Sequence, residues 1–333
     1  MTVIHVPDAP HIEGLRFRTY EGEHDVPAMA RVMNAATSAN GSPEYQPESL
    51  VRNELLHATS TDPREDMVLG FVGDELVAIS MVTFEDANEG MRHYQSYGYV
   101  EPRWRHQGLG TALLSRAEAR LRELARTHRQ PAPPLLVTWV DGPDVGANRL
   151  VESTGYARVR TYHYMVRPDL DDIEAPEPPE GIVIRAVERR ELRQVWDAMS
   201  EAFRDHFGAM DMSETAFRGW VESPRMDPEG MIVAFDGDEV VAGVQAAITP
   251  GENEERGYLR GWTDPVFTRR PWRRRGLAFA CLGRALAVLR DWGMTSAQLG
   301  VDTENPNEAL TLYRKHRFEA VFTETEWHKP LQL

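Results

Sequence analysis

The chain has 333 residues, 41% hydrophobic and 27% charged, with a formal net charge of −15 and a single cysteine. This composition fits a folded chain long enough for two ordinary domains. It excludes a cysteine-built zinc cluster or disulfide framework and argues against a general nucleic-acid binder. No apolar run reaches the length of a membrane span. The opening "MTVIHVPDAPHIEG" lacks the basic and apolar regions of a secretory leader, so a cytoplasmic location is expected.

In chain order, "LRFRTYE" (15–21) alternates as a strand and leads into the helical pattern "DVPAMARVMNAA". "VLGFVGDELVAISMVTF" (68–84) reads as a β-hairpin turning at Gly73-Asp74. "RWRHQGLGTALLSRAEARL" (103–121) opens a helix whose apolar stripe is Gly110, Leu113, Leu114, Ala117 and Leu121. A strand, a short helix and a strand ending in "GYARVRTYHYMV" (155–166) follow. Residues 168–181, "PDLDDIEAPEPPEG", are proline and acid with almost nothing to bury, the signature of a linker.

The order then repeats. "IVIRAVE", "ELRQVWDAMSEAF", the hairpin "IVAFDGDEVVAGVQAAI", the helix "PWRRRGLAFACLGRALAVL" and "RFEAVFTETEWH" match their counterparts at an offset of 162–168 residues. A steady offset of this size indicates tandem duplication of one α+β domain. The expected division is 1–167, a linker at 168–181, and 182–333.

In an acidic chain, five arginines within seven positions (Arg269, Arg270, Arg273, Arg274 and Arg275) need a local explanation. The helix behind them buries Ala278, Cys281, Leu282, Ala285, Leu286 and Leu289 on one stripe. Its first turn offers unpaired N–H groups, and Gly276 lets an anion approach the backbone. Strand, arginine-glycine turn and helix form a cradle for a phosphate or pyrophosphate. The plain alternative is a solvated basic patch. The recurrence of the turn at Arg105–Gly110, in the same place in the first copy, favours the cradle.

These turns, in "VEPRWRHQGLG" and "FTRRPWRRRGLA", together with "LGVDTENPNEALTLYRKHRF", resemble the GNAT superfamily of acyl-CoA-dependent N-acyltransferases over almost the whole chain. The two-copy layout is similar to that of the mycothiol synthases. The resemblance implies two tandem domains, each a mixed, mostly antiparallel sheet flanked by helices. It implies acetyl-CoA as co-substrate, with Arg273, Arg274, Arg275, Gly276, Leu277, Ala278 and Phe279 at its pyrophosphate. Val266, Phe267 and Thr268 would lie beside the thioester on a strand bulged near Pro265. Asn305, with Asn307 as competitor, would meet the pantetheine arm. Val100, Arg105, Gly108 and Gly110 are the first-copy equivalents.

Tyr313 stands where the family places the acid that protonates the departing thiolate, and a phenol is protonated at neutral pH. A core tyrosine is the plain alternative. Asp264 is the candidate base, with His206 as its rival. Aligned on the last strand, Val151 replaces Tyr313 and Pro143 replaces Asn305 in the first copy. The expected result is a catalytic C-terminal domain and an N-terminal domain that binds acyl-CoA without catalysing. Cys281 reads as a core thiol on its stripe.

The expected acceptor is a small-molecule primary amine, with an aminothiol precursor as one alternative and an acyl-CoA sensor without transferase activity as another. No metal, nucleic-acid or membrane partner is expected. The choice between monomer and homodimer stays open.

Overall fold

The computed structural model describes residues 3–88, 90–129, 133–208, 211–305 and 309–333. The first repeat supplies β1 (Val3–Ile4), β2 (Leu15–Thr19), α1 (Val26–Ala39), α2 (Glu48–Leu56), α3 (Pro63–Asp66), β3 (Met67–Val72) and β4 (Glu75–Asp86). It continues through β5 (Arg92–Val100), α4 (Leu109–Thr127), β6 (Leu135–Asp141), α5 (Val145–Ser153) and β7 (Ala157–Arg167). The second supplies β8 (Ile182–Ala186), α6 (Leu192–Phe203), α7 (Glu214–Glu222), β9 (Met231–Asp236), β10 (Glu239–Ala247) and α8 (Glu252–Arg256). It ends with β11 (Arg260–Thr268), α9 (Leu277–Asp291), β12 (Ser296–Asp302), α10 (Ala309–Lys315) and β13 (Glu319–Pro330). Both expected hairpins are present, with Gly73 and Gly237 at φ 59° in their turns.

The chain divides into two compact units whose limits differ from those expected. Met1–Thr161 and Phe322–Leu333 form one unit, and Tyr162–Val321 forms the other. The reason is strand pairing. β13 runs antiparallel to β6, from Glu324 opposite Asp141 to Pro330 opposite Leu135. β7 runs antiparallel to β12, from Tyr162 opposite Asp302 to Arg167 opposite Ala297. Each repeat therefore ends in a strand that belongs to the sheet begun by the other repeat.

In the first unit the strand order is β1-β2-β3-β4-β5-β6-β13, with β5–β6 the parallel pair. Val26, Met29 and Val32 of α1 pack on one face with Leu69 and Leu76. Ala117 and Leu121 of α4 pack on the other with Tyr94 and Leu136. In the second unit the order is β7-β12-β11-β10-β9-β8, with β11–β12 parallel. α6 covers one face through Val195, Trp196 and Met199. α9 covers the other through Leu282, Leu286 and Leu289. Each such buried leucine contributes roughly 2 kcal/mol by removing its side chain from water.

The 168–181 segment has no helix or strand, as its composition implies, but it does bury side chains. Leu170 lies in the α9 core and Ile173 packs against it. Buried Arg167 donates to the carbonyls of Asp169, Asp171 and His316. A Cβ on Gly283 would meet the Glu174 carbonyl at 2.1 Å, so glycine on α9 is what lets this segment lie against the helix. No helix among the described residues is long and apolar enough to cross a membrane.

Candidate active site

In the second unit β11 pairs with β12 only as far as Trp262 opposite Gln298. β12 continues beside β7 to Asp302, so from Thr263 onward β11 has parted from β12. β11 keeps β10 on its other side, with a register shift between Val244 and Ala246 opposite Asp264-Pro265. Antiparallel ladders alternate their bonding direction. Since Arg269 donates to Val241 O, Phe267 also bonds toward β10, and the N–H groups of Val266 and Thr268 point into the opening. Phe267 itself is buried against α6.

The point of parting is fastened by Glu252, which is 1% exposed. Its carboxylate accepts from the Tyr258 hydroxyl (2.8 Å), Trp262 Nε1 (2.9 Å) and Gln298 Nε2 (2.7 Å). Trp262 and Gln298 are the last residues paired between β11 and β12. The buried charge is stabilised because three donors meet it.

The arginine cluster separates into two groups. Arg269 bonds Glu201 and Glu239, and Arg270 bonds Asp205. Arg273 is committed inside the fold. It reaches Thr268 O at 3.1 Å, Ala202 O at 3.3 Å and Asp205 at 2.7 Å. Arg105 makes the equivalent contacts, to Val100 O at 3.3 Å and Ala36 O at 2.8 Å. The first arginine of each turn thus ties its own strand end to the preceding helix.

Arg274 and Arg275 are exposed, beside a helix start that has no side-chain cap. Gly276 is left-handed at φ 78° and Gly108 at φ 91°. Arg274 and His106 also have positive φ, at 60° and 62°. A non-glycine residue held there costs on the order of 1 kcal/mol, which both copies accept to make this turn. The unpaired first-turn N–H groups of Leu277, Ala278 and Phe279, with two exposed guanidinium groups beside them, fit a pyrophosphate. His316 stacks on Phe279 at 3.9 Å and meets its carbonyl at 3.0 Å. Burial holds its ring down at about 4, so it is neutral.

Asp264 is reachable by solvent yet surrounded by protein. Desolvation pushes its carboxyl up to about 6, opposed by the charges of Arg225 and His206 and by an N–H from Gly300. Tyr313 is buried at 6% and packs edge-on to Phe318. Burial, then the nearby Asp264 charge, pushes its hydroxyl up, so it remains a proton donor at any neutral pH. The structure therefore sets Asp264 on the freed stretch of β11 and Tyr313 near enough for that charge to act on its hydroxyl. His206 is half-buried with Nδ1 2.9 Å from Phe207 O. Asn305 donates its backbone N–H to Asp302 O; Asn307 lies outside the described residues. Cys281 is fully buried, and burial raises its thiol to about 12, as expected of a core residue.

In the first unit β5 leaves β6 after Ser96 opposite Thr138. A cavity of about 320 Å³ occupies this opening, with Gly108, Gly110 and Val151 among the residues around it. Tyr97 stacks on Trp139 at 5.3 Å in its wall. Val100 and Arg105 also line it. Asp141 is pushed up to about 6 by burial, against a bond from Asn40 and with Glu44 and Asp144 adding to the rise. Burial, Glu44 and Asp141 raise Glu324 well above the usual range. Sequence reasoning missed these acids, Asp205 and Arg225. Asp205 stands beside the singled-out His206; Asp141 and Glu324 meet through the β6–β13 pairing, and Glu44, Asp144 and Arg225 come from segments between helices and strands.

A sheet that opens between two parallel strands beside an arginine-glycine helix start defines an acyl-CoA-binding fold. The chain belongs to the GNAT family of acetyltransferases, whose family model matches residues 29–132 and 192–318. It is an N-acetyltransferase with acetyl-CoA as co-substrate. Among curated relatives, a mycothiol acetyltransferase of Geodermatophilus obscurus is 28% identical over 91% of this chain and 94% of its own. One from Salinispora arenicola is 26% identical over 88% and 91%. A GCN5-related N-acetyltransferase from Sphaerobacter thermophilus superposes with TM-score 0.72 at 28% identity, covering 99% of this chain and 98% of its own. A tandem GNAT protein from the clavulanic acid biosynthesis pathway shares the fold at TM-score 0.69 and 17% identity, over 96% of this chain and 99% of its own.

Proposed function

We propose that the opening between β11 and β12 transfers the acetyl group directly to the primary amine of a small molecule. The observation that carries this reading is the parting of β11 beyond Trp262 with Asp264 and Tyr313 beside the gap. Acetyl-CoA supplies an activated thioester. Leu277, Ala278 and Phe279 N–H groups hold its pyrophosphate, with Arg274 and Arg275 adding charge. Arg273 acts through the shape of the turn. The N–H groups of Val266 and Thr268 stabilise charge that builds on the carbonyl oxygen. Asp264 accepts the amine proton, and Tyr313 donates one to the leaving sulfur.

In the first unit Val151 occupies the position of Tyr313 and has no proton to give, so that unit binds acyl-CoA without catalysing. The curated relatives are named mycothiol acetyltransferases and match along nearly the whole chain. That coverage favours an aminothiol precursor as the acceptor to test first.

The test is a CoA-release assay across a panel of amines that includes aminothiols. Tyr313→Phe should lower kcat about 100-fold or more at saturating acetyl-CoA. Undiminished turnover would remove Tyr313 as the acid. CoA binding without thioester consumption across the panel would make the chain a sensor instead.

A further inference from the structure

Outside both clefts, one side-chain cluster of the first unit has no part in acetyl transfer. Glu326 and His328 stand two residues apart on β13, opposite Trp139 and Val137 of β6. His93 lies on β5, along the other edge of β6, opposite Leu135, which shares a face with Val137 and Trp139. Strand alternation places all three side chains on one face of the sheet. Their donor atoms lie within 4.8 Å of one another. His328 Nε2 is 2.6 Å from Glu326 Oε1, and the His93 and His328 rings meet edge-on at 5.1 Å. Exposure is 1% for His93, 2% for Glu326 and 9% for His328.

We propose that His93, Glu326 and His328 form a binding site for a divalent transition-metal ion of the zinc class. Two donors at i and i+2 on a strand face, with a third from a neighbouring strand, converge on one point from a rigid frame. Two ligands on one zinc ion sit roughly 3.3 Å apart, so small side-chain rotations bring these donors onto a common centre. Two imidazoles with one carboxylate suit zinc, cobalt or nickel and disfavour magnesium and calcium, which take oxygen ligands. The surroundings favour a cation. Glu85 lies on the same face, opposite His93 on β4, and a carboxylate beside the donors gains from a positive ion. The ion would fasten β13 to β5 across β6 and so hold the strand that closes the first unit.

The test is titration of the full chain, stripped with EDTA, with Co2+ alone, followed by its visible d–d absorption. One Co2+ should bind per chain, with bands displaced by Zn2+. His93→Ala and His328→Ala should each weaken binding at least about 100-fold, since losing even a residue that supports a ligand costs 10–100-fold. His11→Ala, on an exposed histidine, should change nothing. Should an alanine variant fail to fold, His93→Gln and Glu326→Gln take its place. Zn2+ should also raise the Tm of the unsubstituted chain and not of the variants, because a ligand stabilises the state that binds it. Absence of stoichiometric Co2+ binding by the unsubstituted chain, or equal binding by folded ligand variants, would overturn the site.

Discussion

As the base proposed above, Asp264 would tie acidity to activity and to stability with opposite signs. Its carboxyl is raised from an ordinary 3.8 to about 6 by desolvation. The folded chain therefore binds this proton more tightly than the unfolded chain between those values. Stability from this group is greatest below pH 4 and falls as the pH rises through 6. A base must be ionised, so turnover moves the other way and rises through pH 6. Asp264→Asn should lower kcat and abolish the pH limb near 6. It should also raise Tm at pH 7.5, with the gain vanishing toward pH 4. A pH–rate profile beside thermal melts at both pH values checks this, and an unchanged limb would leave Asp264 without a catalytic role. The sequence singles out Asp264 by its place on the strand before the arginine turn. Arg225 and Gly300, which oppose its raised pKa, leave no local pattern because packing alone brings them near it.

At the scale of elements, the opening depends on β11 and β12 staying joined up to a fixed point. Glu252 makes that joint. Glu252→Ala would leave the Tyr258 hydroxyl, Trp262 Nε1 and Gln298 amide without their acceptor. The expected cost is about 3 kcal/mol, from buried donors that lose a charged partner. Urea unfolding measures it, and a loss under 1 kcal/mol would show that water replaces the carboxylate at little cost. The arginine-glycine turns were legible because glycine, charge and a helical stripe are neighbours in sequence. The inward use of Arg105 and Arg273 was not, because it rests on the carbonyls of Ala36 and Ala202 some 70 residues earlier.

For the whole molecule, the duplication could be read from a steady offset, whereas the exchange of last strands could not. Periodicity identifies a strand and is silent about which sheet receives it. The fragments 1–167 and 182–333, the natural cut by composition, each lack their closing strand. Neither should fold cooperatively alone. A chain joining 1–161 to 322–333 through a flexible linker should give one sharp thermal transition by circular dichroism. Cooperative melting of the 1–167 fragment would show that β13 is dispensable.

The same exchange sets an order of events on the ribosome. β6 is made roughly 180 residues before the β13 segment that pairs with it. At 5–20 residues per second, β6 waits roughly 10–40 s with one edge unpaired. An open strand edge is a template for pairing with any extended chain nearby. The first unit is thus the first to be synthesised and among the last to be finished. A chain interrupted anywhere before Phe322 would reach the cell with that edge uncovered.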